Sequence, residues 1–286
     1  MTITLEPDVA RSTWRAAEVY HGMIYFAPEA MAAYAELGLS SEQGYFASRS
    51  AAMGVVPPEL VVATFFNFSP RFVHASLDGV WSKTDPATVL AARSSAADKA
   101  LRGALGDAVH SPELARVAEL LRSAAETITG DVVGRPLFAA HAALHWPSEP
   151  HLVLWHAQTL LREYRGDAHI AALLTAGLGG LDSLLTHAAV GGIRAEVLRK
   201  TRSWPETEWQ QGIESLRDRG WLTADAEPTF TPDGKTRRDE LESATDRNSL
   251  APYARIGDEA CAEIRTLIAP FAQTLTTTFM PWAAKR

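Results

Sequence analysis

The stretch HLVLWHAQTLLREYRGDAHIAALLTAGLGGLDSLLTHAA, residues 151–189, decides the fold of this chain. Its apolar residues recur at helical spacing on both sides of a central Arg-Gly-Asp sequence. Gly166 can take the left-handed conformation that ends a helix, and Asp167 can cap the helix that follows. The stretch therefore predicts two long helices with a sharp reversal between them. It places His169 in the first turn of the second helix, where the helix dipole favours a neutral imidazole.

Ionisable side chains crowd this predicted corner. Arg162, Glu163 and Arg165 lie at the end of the first helix, close to Asp167 and His169. One interpretation is ordinary helix-end chemistry, because arginines suit a helix C-terminus and aspartate suits an N-cap. The other is a polar patch that holds the anionic group of a ligand, with His169 as donor or acceptor.

Composition is typical of a globular protein. The chain has 286 residues, 47% of them hydrophobic and 21% charged, and one cysteine, Cys261, which excludes an internal disulfide. No apolar run reaches the roughly 18 residues of a membrane span, and the first residues lack a signal-peptide pattern. We therefore expect a cytoplasmic protein without a membrane partner. A net charge of −7 argues against a protein that finds nucleic acid through its overall field, although a local basic surface stays compatible with it.

Helix-start signals dominate residues 1–190. Asp85 and Ser111, each followed by proline, are typical N-caps. The run 60–68 is β-branched and aromatic, so a buried strand is an alternative there, but the Pro58-Glu59 pair favours a helix. The predicted fold of residues 1–190 is a ligand-binding domain of helical hairpins.

The pattern changes in residues 191–286. Two short helices are followed by two short strand-like segments around a polar tip, and then by another helix; the segments are 193–200, 205–220, 221–223 and 230–231. This order resembles the winged helix-turn-helix of MarR-like regulators. The predicted fold class is therefore all-α, with a helical-hairpin domain followed by a winged helix-turn-helix with a small β-wing.

DNA reading by this second domain is not favoured by its local charge. Residues 194–247 hold ten basic and twelve acidic side chains, and the wing tip is acidic. A winged helix used as a scaffold or dimer element is the preferred interpretation. If the domain does read DNA, the second helix would enter the major groove. The residues that would then contact DNA are Thr207, Gln210, Gln211, Lys235 and Arg237.

Several stretches along the chain resemble an actinobacterial family described as SalK-like, or as helix-turn-helix proteins of unassigned role. The matching stretches are YHGMIYFAPEA (20–30), YFASRSAAMG (45–54), ATFFNFSP (63–70), LREYRGDAHIAAL (161–173), RDRGWLTAD (217–225) and ELESATDR (240–247). The resemblance implies the same helical layout with a C-terminal winged helix. It implies no activity, catalytic residue or cofactor.

Polar residues within apolar stretches of the sequence indicate where a ligand would bind. Buried polar groups need partners or a ligand, because each unsatisfied group costs about 1–3 kcal/mol. The candidate ligand-binding residues are His21, Tyr25, Arg49, Asn67, His74, Trp155, Arg162 and His169. His141 and His145 have the one-turn spacing of metal ligands, but no HExxH pattern accompanies them. We assign no metal site, and the cofactor is unknown.

Three functions remain open at this point. The first is a small-molecule-binding winged-helix protein, a sensor or sequestering protein for an apolar or aromatic metabolite, with transcriptional regulation as its extension. The second is a cofactor-independent enzyme of secondary metabolism, in which His21, His74 or His169 performs acid–base chemistry. The third is a structural or dimerisation protein without a ligand. A homodimer is expected by analogy with winged-helix regulators.

Overall fold

The computed structural model describes residues 5–283, and these residues form an all-α fold, as predicted. No β-strand occurs among them; Leu222 and Phe230 form an isolated antiparallel bridge. The helices are α1 Pro7–Gly22, α2 Pro28–Glu36, α3 Ser41–Ser50, α4 Pro58–Phe65, α5 Pro70–Leu77, α6 Val80–Lys83, α7 Pro86–Leu105, α8 Pro112–Glu126, α9 Pro136–Ala142, α10 Pro150–Thr175, α11 Gly180–Val190, α12 Ala195–Thr201, α13 Glu206–Asp218, α14 Pro232–Asn248 and α15 Ala251–Phe279.

The chain packs as two compact units that alternate along the sequence. Among the described residues, unit 1 comprises 5–55, 79–167 and 246–283, and unit 2 comprises Val56–Asp78 and Ala168–Thr245. Two of the four boundaries fall inside α10 and α14, so each of these helices contributes residues to both units. The predicted domains, 1–190 and 191–286, divide the chain by sequence pattern rather than by packing, and they stay a prediction.

Helix starts follow the local signals in the sequence. The Asp85 carboxylate accepts the Thr88 N–H at 3.0 Å at the start of α7, and the Ser111 hydroxyl accepts the Leu114 N–H at 3.2 Å at the start of α8. Helix α4 begins at Pro58, which confirms a helix rather than a strand in that segment. These signals are reliable because a cap and a proline act within one turn of the chain.

The predicted reversal at the Arg-Gly-Asp sequence is wrong. Helix α10 runs from Pro150 to Thr175 through Gly166 without a break, and Gly166 is not among the glycines with positive φ. Asp167 does not cap a new helix; its Oδ2 accepts the backbone N–H of Phe138 at 2.9 Å, in the first turn of α9. The chain turns instead at Gly177, where φ is +68°.

Burial explains why α10 continues through a glycine. A glycine in a helix costs about 1 kcal/mol relative to alanine. The apolar side chains of α10 that are buried on both sides of Gly166 contribute about 1.5–3 kcal/mol for each large residue. They are Val153, Leu154, Trp155, Leu160, Leu161, Tyr164 and Leu173. His169 therefore lies in the interior of a helix, and the helix-dipole argument for its neutral form loses its basis.

In unit 2, α12, a short turn and α13 form a helix-turn-helix. Trp209, Ile213 and Leu216, predicted to share one face of α13, are all buried. Helix α11 packs against α13 so closely that a Cβ at Gly212 would lie 2.8 Å from the Leu185 side chain. Ser203 in the turn has a φ of +54°.

The predicted β-wing is reduced to a single bridge. The Thr223 N–H donates to the Thr229 carbonyl at 2.8 Å, and the Thr231 N–H donates to the Trp221 carbonyl at 3.1 Å. The two predicted strands of the wing, 221–223 and 230–231, are two or three residues long, which is too short for a regular series of β-sheet hydrogen bonds. The Nε of Arg217 also donates a hydrogen bond to the Thr223 carbonyl at 2.9 Å.

Candidate functional site

Five of the eight predicted ligand-binding residues come together in unit 1. They lie on α1, on the short 3₁₀ segment after it, on α3 and on α10; they are His21, Tyr25, Arg49, Trp155 and Arg162. The ring of Tyr25 lies at the centre of this group. We refer to these five residues together with Tyr45, Arg93 and Glu163 as the Tyr25 cluster.

His21 is fully buried, and both its ring nitrogens are hydrogen-bonded. Nδ1 lies 2.8 Å from Thr159 Oγ1, and Nε2 lies 2.7 Å from the Tyr25 hydroxyl. The Thr159 hydroxyl donates to the Trp155 carbonyl at 2.8 Å, so its oxygen is an acceptor for His21. These bonds assign the proton to Nδ1, and the Tyr25 hydroxyl therefore donates to Nε2. Burial, followed by the nearby Arg162, lowers the pKa of His21 well below its usual value and keeps the ring neutral.

Three guanidinium groups surround the Tyr25 ring. The Cζ atoms of Arg49, Arg93 and Arg162 lie 5.5, 5.9 and 5.7 Å from its centroid. Arg49 also donates to the Tyr45 hydroxyl at 2.7 Å. These distances are within the range of cation–π attraction, which contributes about 0.5–2 kcal/mol for each contact and only partly offsets the desolvation of a buried charge.

Two carboxylates pair with these arginines. Arg162 donates to Glu163 at 2.8 Å and to Glu18 at 2.9 Å, and Glu163 lies 4.0 Å from Arg49. Burial raises the pKa of Glu163, but Arg162 and Arg49 outweigh it, so the pKa stays below its usual value. Burial raises the pKa of Glu18, and Arg162 opposes that rise only in part. Three guanidiniums thus face two carboxylates, which leaves one positive charge in excess.

Arg93, on α7, is a residue of the Tyr25 cluster that was not predicted from the sequence as ligand-binding, and the same holds for Tyr45 and Glu163. Arg93 is 3% exposed, and its hydrogen bonds within residues 5–283 go from Nη1 to the carbonyl and hydroxyl of Ser48, at 3.2 and 3.5 Å. Its Cζ also lies 5.2 Å from the Trp155 ring. No carboxylate pairs with Arg93 in the described part of the chain. The one signal in the sequence was an arginine within the alanine- and serine-rich stretch AARSSAA, residues 91–97.

Other buried polar groups lie close to the Tyr25 cluster. The indole N–H of Trp155 has no hydrogen-bond acceptor among the described residues, although it is buried. Trp155 and His21 stack with centroids 6.3 Å apart and planes at 9°. Burial lowers the pKa of His141 to about 3. Within the described residues, no group of three or more His, Cys, Asp or Glu side chains could hold a metal ion, so His141 belongs to no such group there.

The other three predicted ligand-binding residues, Asn67, His74 and His169, belong to unit 2. The Asn67 carbonyl accepts the Trp204 indole N–H at 2.9 Å. The His74 side chain is half exposed, with Nε2 3.9 Å from Glu59. His169 Nδ1 lies 3.0 Å from the Thr245 hydroxyl. Each of the three has its own local contacts in unit 2.

Of the five predicted DNA-contacting residues, all in unit 2, four are exposed and Arg237 is partly buried. Thr207 and Gln211 are exposed on α13. Gln210 is also exposed, but its amide donates to Glu206 at 2.8 Å. Lys235 donates to Asp239 at 2.6 Å, and Arg237 lies 3.9 Å from the Trp221 ring centroid and 3.7 Å from Asp233.

Basic residues around α12 and α13 are also paired with carboxylates. The pairs are Arg199 with Glu206 at 2.9 Å, Lys200 with Glu196 at 2.5 Å, Arg217 with Glu214 at 2.6 Å, and Arg219 with Asp182 at 2.9 Å. Such pairs contribute little stability at an exposed surface, but they lower the positive potential that a phosphate backbone would meet.

Among residues 5–283, no single helix is both long and apolar enough to cross a membrane; only α10 and α11, as a bent pair, have the length and composition together. No curated protein and no solved structure matches the chain significantly. A family described as a helix-turn-helix family matches residues 10–281. Because the match spans nearly all of the sequence, the chain belongs to this helix-turn-helix family.

Proposed function

We propose that this protein is a cytoplasmic regulator that binds a small molecule in unit 1 and reads DNA through the helix-turn-helix of unit 2. The observation that supports ligand binding is Arg93, a buried guanidinium without a carboxylate partner, whose charge is the one positive charge in excess in the cluster. The family supports the DNA half, because helix-turn-helix proteins typically place their second helix in the major groove.

Energetics favour a ligand over a purely structural role for the Tyr25 cluster. A buried charge without a partner is strongly unfavourable, and arginines are rarely fully buried unless paired. The indole N–H of Trp155 adds a second unsatisfied donor in the same place. Ligand sites are typically apolar and aromatic, with a few polar groups that fix the ligand's orientation, and sites between the helices of a bundle are common. The Tyr25 cluster has this composition.

For the DNA half, we propose a winged-helix mode of binding with α13 as the recognition helix. Thr207, Gln210 and Gln211 would face base edges, and Lys235 and Arg237 would contact phosphates. Because the surrounding cations are paired with acids, we expect weak non-specific binding, so that recognition relies on base contacts. We also propose a homodimer, since helix-turn-helix dimers read two half-sites about one helical turn, or 34–36 Å, apart.

The DNA half is tested by selection of genomic fragments on the full chain, followed by fluorescence anisotropy at several salt concentrations and light scattering for the oligomeric state. We expect one or a few enriched sequences, and weaker binding in the Gln211→Ala variant. The control is Gln273→Ala, which changes an exposed glutamine on α15. No enrichment of any sequence at low salt would refute DNA reading by this protein.

The ligand half is tested by native mass spectrometry of protein purified from its own host. We expect a bound small molecule that is lost on denaturation and absent from Arg93→Met. Preparations without a bound molecule, together with no stabilisation by any compound in a metabolite library, would overturn the ligand half. A negative result for DNA binding therefore leaves the ligand proposal standing, and a negative result for ligand binding leaves the DNA proposal standing.

A second candidate function is supported by the chain of hydrogen bonds from Tyr25 through His21 to Thr159. The Tyr25 hydroxyl donates to the neutral His21, so its oxygen would be held in place to accept a hydrogen bond from a bound substrate. A cofactor-independent enzyme would then use Tyr25 on a bound substrate. Conversion of the co-purified molecule by the wild type and not by Tyr25→Phe would favour the enzyme over the sensor.

A further inference from the structure

We infer that the ligand of the Tyr25 cluster is an aromatic monocarboxylate. This inference rests on the ligand site proposed above and names the chemistry that the site selects. It differs from an uncharged aromatic metabolite in one respect, the negative charge. Two features of the cluster favour that charge, and a third favours the aromatic ring.

The first feature is the charge balance. Arg49, Arg93 and Arg162 carry three positive charges, and Glu18 and Glu163 carry two negative ones. One bound carboxylate makes the cluster neutral. A phosphate dianion would leave a net negative charge, and a neutral ligand would leave the excess positive charge buried, at a large cost in free energy.

The second feature is the set of donors that Arg93 has left. Its two hydrogen bonds within the described residues both use Nη1, so Nε and Nη2 keep their N–H groups for an acceptor. These two nitrogens present a pair of parallel N–H groups, the arrangement that binds the two oxygens of a carboxylate. The Trp155 indole N–H is a further buried donor, on the residue whose ring lies 5.2 Å from the Arg93 Cζ.

The third feature is the aromatic surroundings. Tyr25 and Tyr45 lie with ring centroids 5.5 Å apart, and both rings are only partly buried, whereas His21, Arg93 and Trp155 are buried. A ligand ring beside the tyrosines would bury more apolar surface and would place its carboxylate toward Arg93 and Trp155. A small anion such as acetate or inorganic phosphate would gain no such contact.

The test compares pairs of ligands that differ only in charge, on full-length protein shown to be ligand-free by native mass spectrometry. The pairs are benzoate with benzamide and indole-3-acetate with indole-3-acetamide; acetate, inorganic phosphate and phenyl phosphate are added as anions of other classes. Binding is measured by calorimetry and by the shift in Tm. We expect each aromatic acid to bind at least about tenfold more tightly than its amide, because the acid alone forms charge-assisted hydrogen bonds.

Three variants separate the site from the rest of the chain. Arg93→Met removes the charge and should abolish the preference for acid over amide, and Arg93→Lys keeps the charge but loses the paired N–H groups, so it should keep only part of that preference. Arg116→Met is the control, since Arg116 is exposed on α8 and pairs with Glu119 and Glu263. If Arg93→Met fails to fold, the comparison of acid and amide binding to the wild type still tests whether the site prefers a carboxylate.

Each outcome has a distinct meaning. Equal binding of acid and amide would overturn the inference and leave the ligand site of the proposed function standing. Tighter binding of phenyl phosphate than of benzoate would overturn the monocarboxylate in favour of an aromatic phosphate. Binding of acetate as tight as that of benzoate would overturn the aromatic part. Failure of every compound, with no molecule on protein from its own host, would overturn the proposed site as well.

Discussion

The backbone N–H of Phe138 donates a hydrogen bond to Oδ2 of Asp167 across 2.9 Å, so a side chain in the interior of α10 completes the first turn of α9. Burial raises the pKa of Asp167 to about 6, from an ordinary value of 3.8. The folded state therefore binds the proton of the Asp167 carboxyl more tightly than the unfolded state does. The contribution of the protonated Asp167 to the free energy of unfolding is complete below about pH 4 and is lost as the pH rises through about 6.

Asp167→Asn should remove this dependence on pH. Asparagine keeps a carbonyl oxygen for the Phe138 N–H and cannot ionise. We expect the free energy of unfolding of the wild type, relative to that of the variant, to fall by about 2–3 kcal/mol between pH 4 and pH 7.5. Urea unfolding of both proteins across this range measures the difference. Parallel pH profiles would contradict the raised pKa.

His156 should have the opposite effect on stability. Burial, with a smaller contribution from Arg122, lowers its pKa to about 4, so its stabilising contribution is present above about pH 6.5 and is lost as the pH falls toward 4. The loss at pH 5 is about 2 kcal/mol. His156→Phe keeps a ring against Trp146, whose centroid is 4.7 Å away, and should lose less stability than the wild type between pH 7.5 and pH 5.

The control for His156 is His110→Gln, because His110 is exposed. It should leave the loss of stability at pH 5 unchanged. A drop of the same size in His156→Phe and in the wild type would show that the pKa of His156 is the same in the folded and the unfolded state, and would contradict the lowered pKa.

Gly180 should not tolerate a side chain. A Cβ there would lie 2.0 Å from the Phe66 carbonyl oxygen, which is backbone and cannot rotate away. We expect Gly180→Ala to destabilise unit 2 by about 1–3 kcal/mol or more. Gly103→Ala is the matched control: it lies in α7 with open space around it and should stabilise by about 0.5–1 kcal/mol. Thermal unfolding compares the two, and equal effects would be inconsistent with the close approach of Phe66.

Glu163→Gln should unbalance the Tyr25 cluster. Removing one carboxylate leaves three guanidiniums with Glu18 as the remaining ion-pair partner, and breaking a buried pair costs about 3–5 kcal/mol. Because an added anion can replace the missing charge, chloride or benzoate should stabilise the variant more than the wild type. Denaturant unfolding with and without each anion measures this, and equal anion effects on both proteins would contradict an excess of positive charge.

The tautomer of His21 can be observed directly. The Thr159 oxygen accepts from Nδ1, so nitrogen-15 NMR at pH 6 should show a neutral His21 with its proton on Nδ1. Thr159→Val removes the acceptor and should shift the population toward the Nε2 tautomer. A protonated, positively charged His21 at pH 6 would be incompatible with its burial beside three arginines.

Local chemistry made much of the helical layout predictable. Helices α7, α8 and α4 begin where a proline or a capping side chain indicates, because these signals act within one turn. The buried face of α13 was predictable for the same reason, since Trp209, Ile213 and Leu216 recur at helical spacing. The prediction failed at Gly166, where the buried residues on both sides outweigh the preference of glycine for a turn.

The sequence by itself determined the all-α class and the starts of helices such as α4, α7 and α8, because residue type, periodicity and caps act over short distances along the chain. Five of the residues predicted to bind a ligand lie together in the Tyr25 cluster, and their role in binding stays a prediction. Only the tertiary structure decided that Arg93 joins His21 and Tyr25, since it comes from a helix about 70 residues further along. The tertiary structure also decided that Asp167 accepts a hydrogen bond from the first turn of α9 and that the wing is a single β-bridge. Partners of buried charges are chosen by packing between distant segments, and no local pattern records that choice.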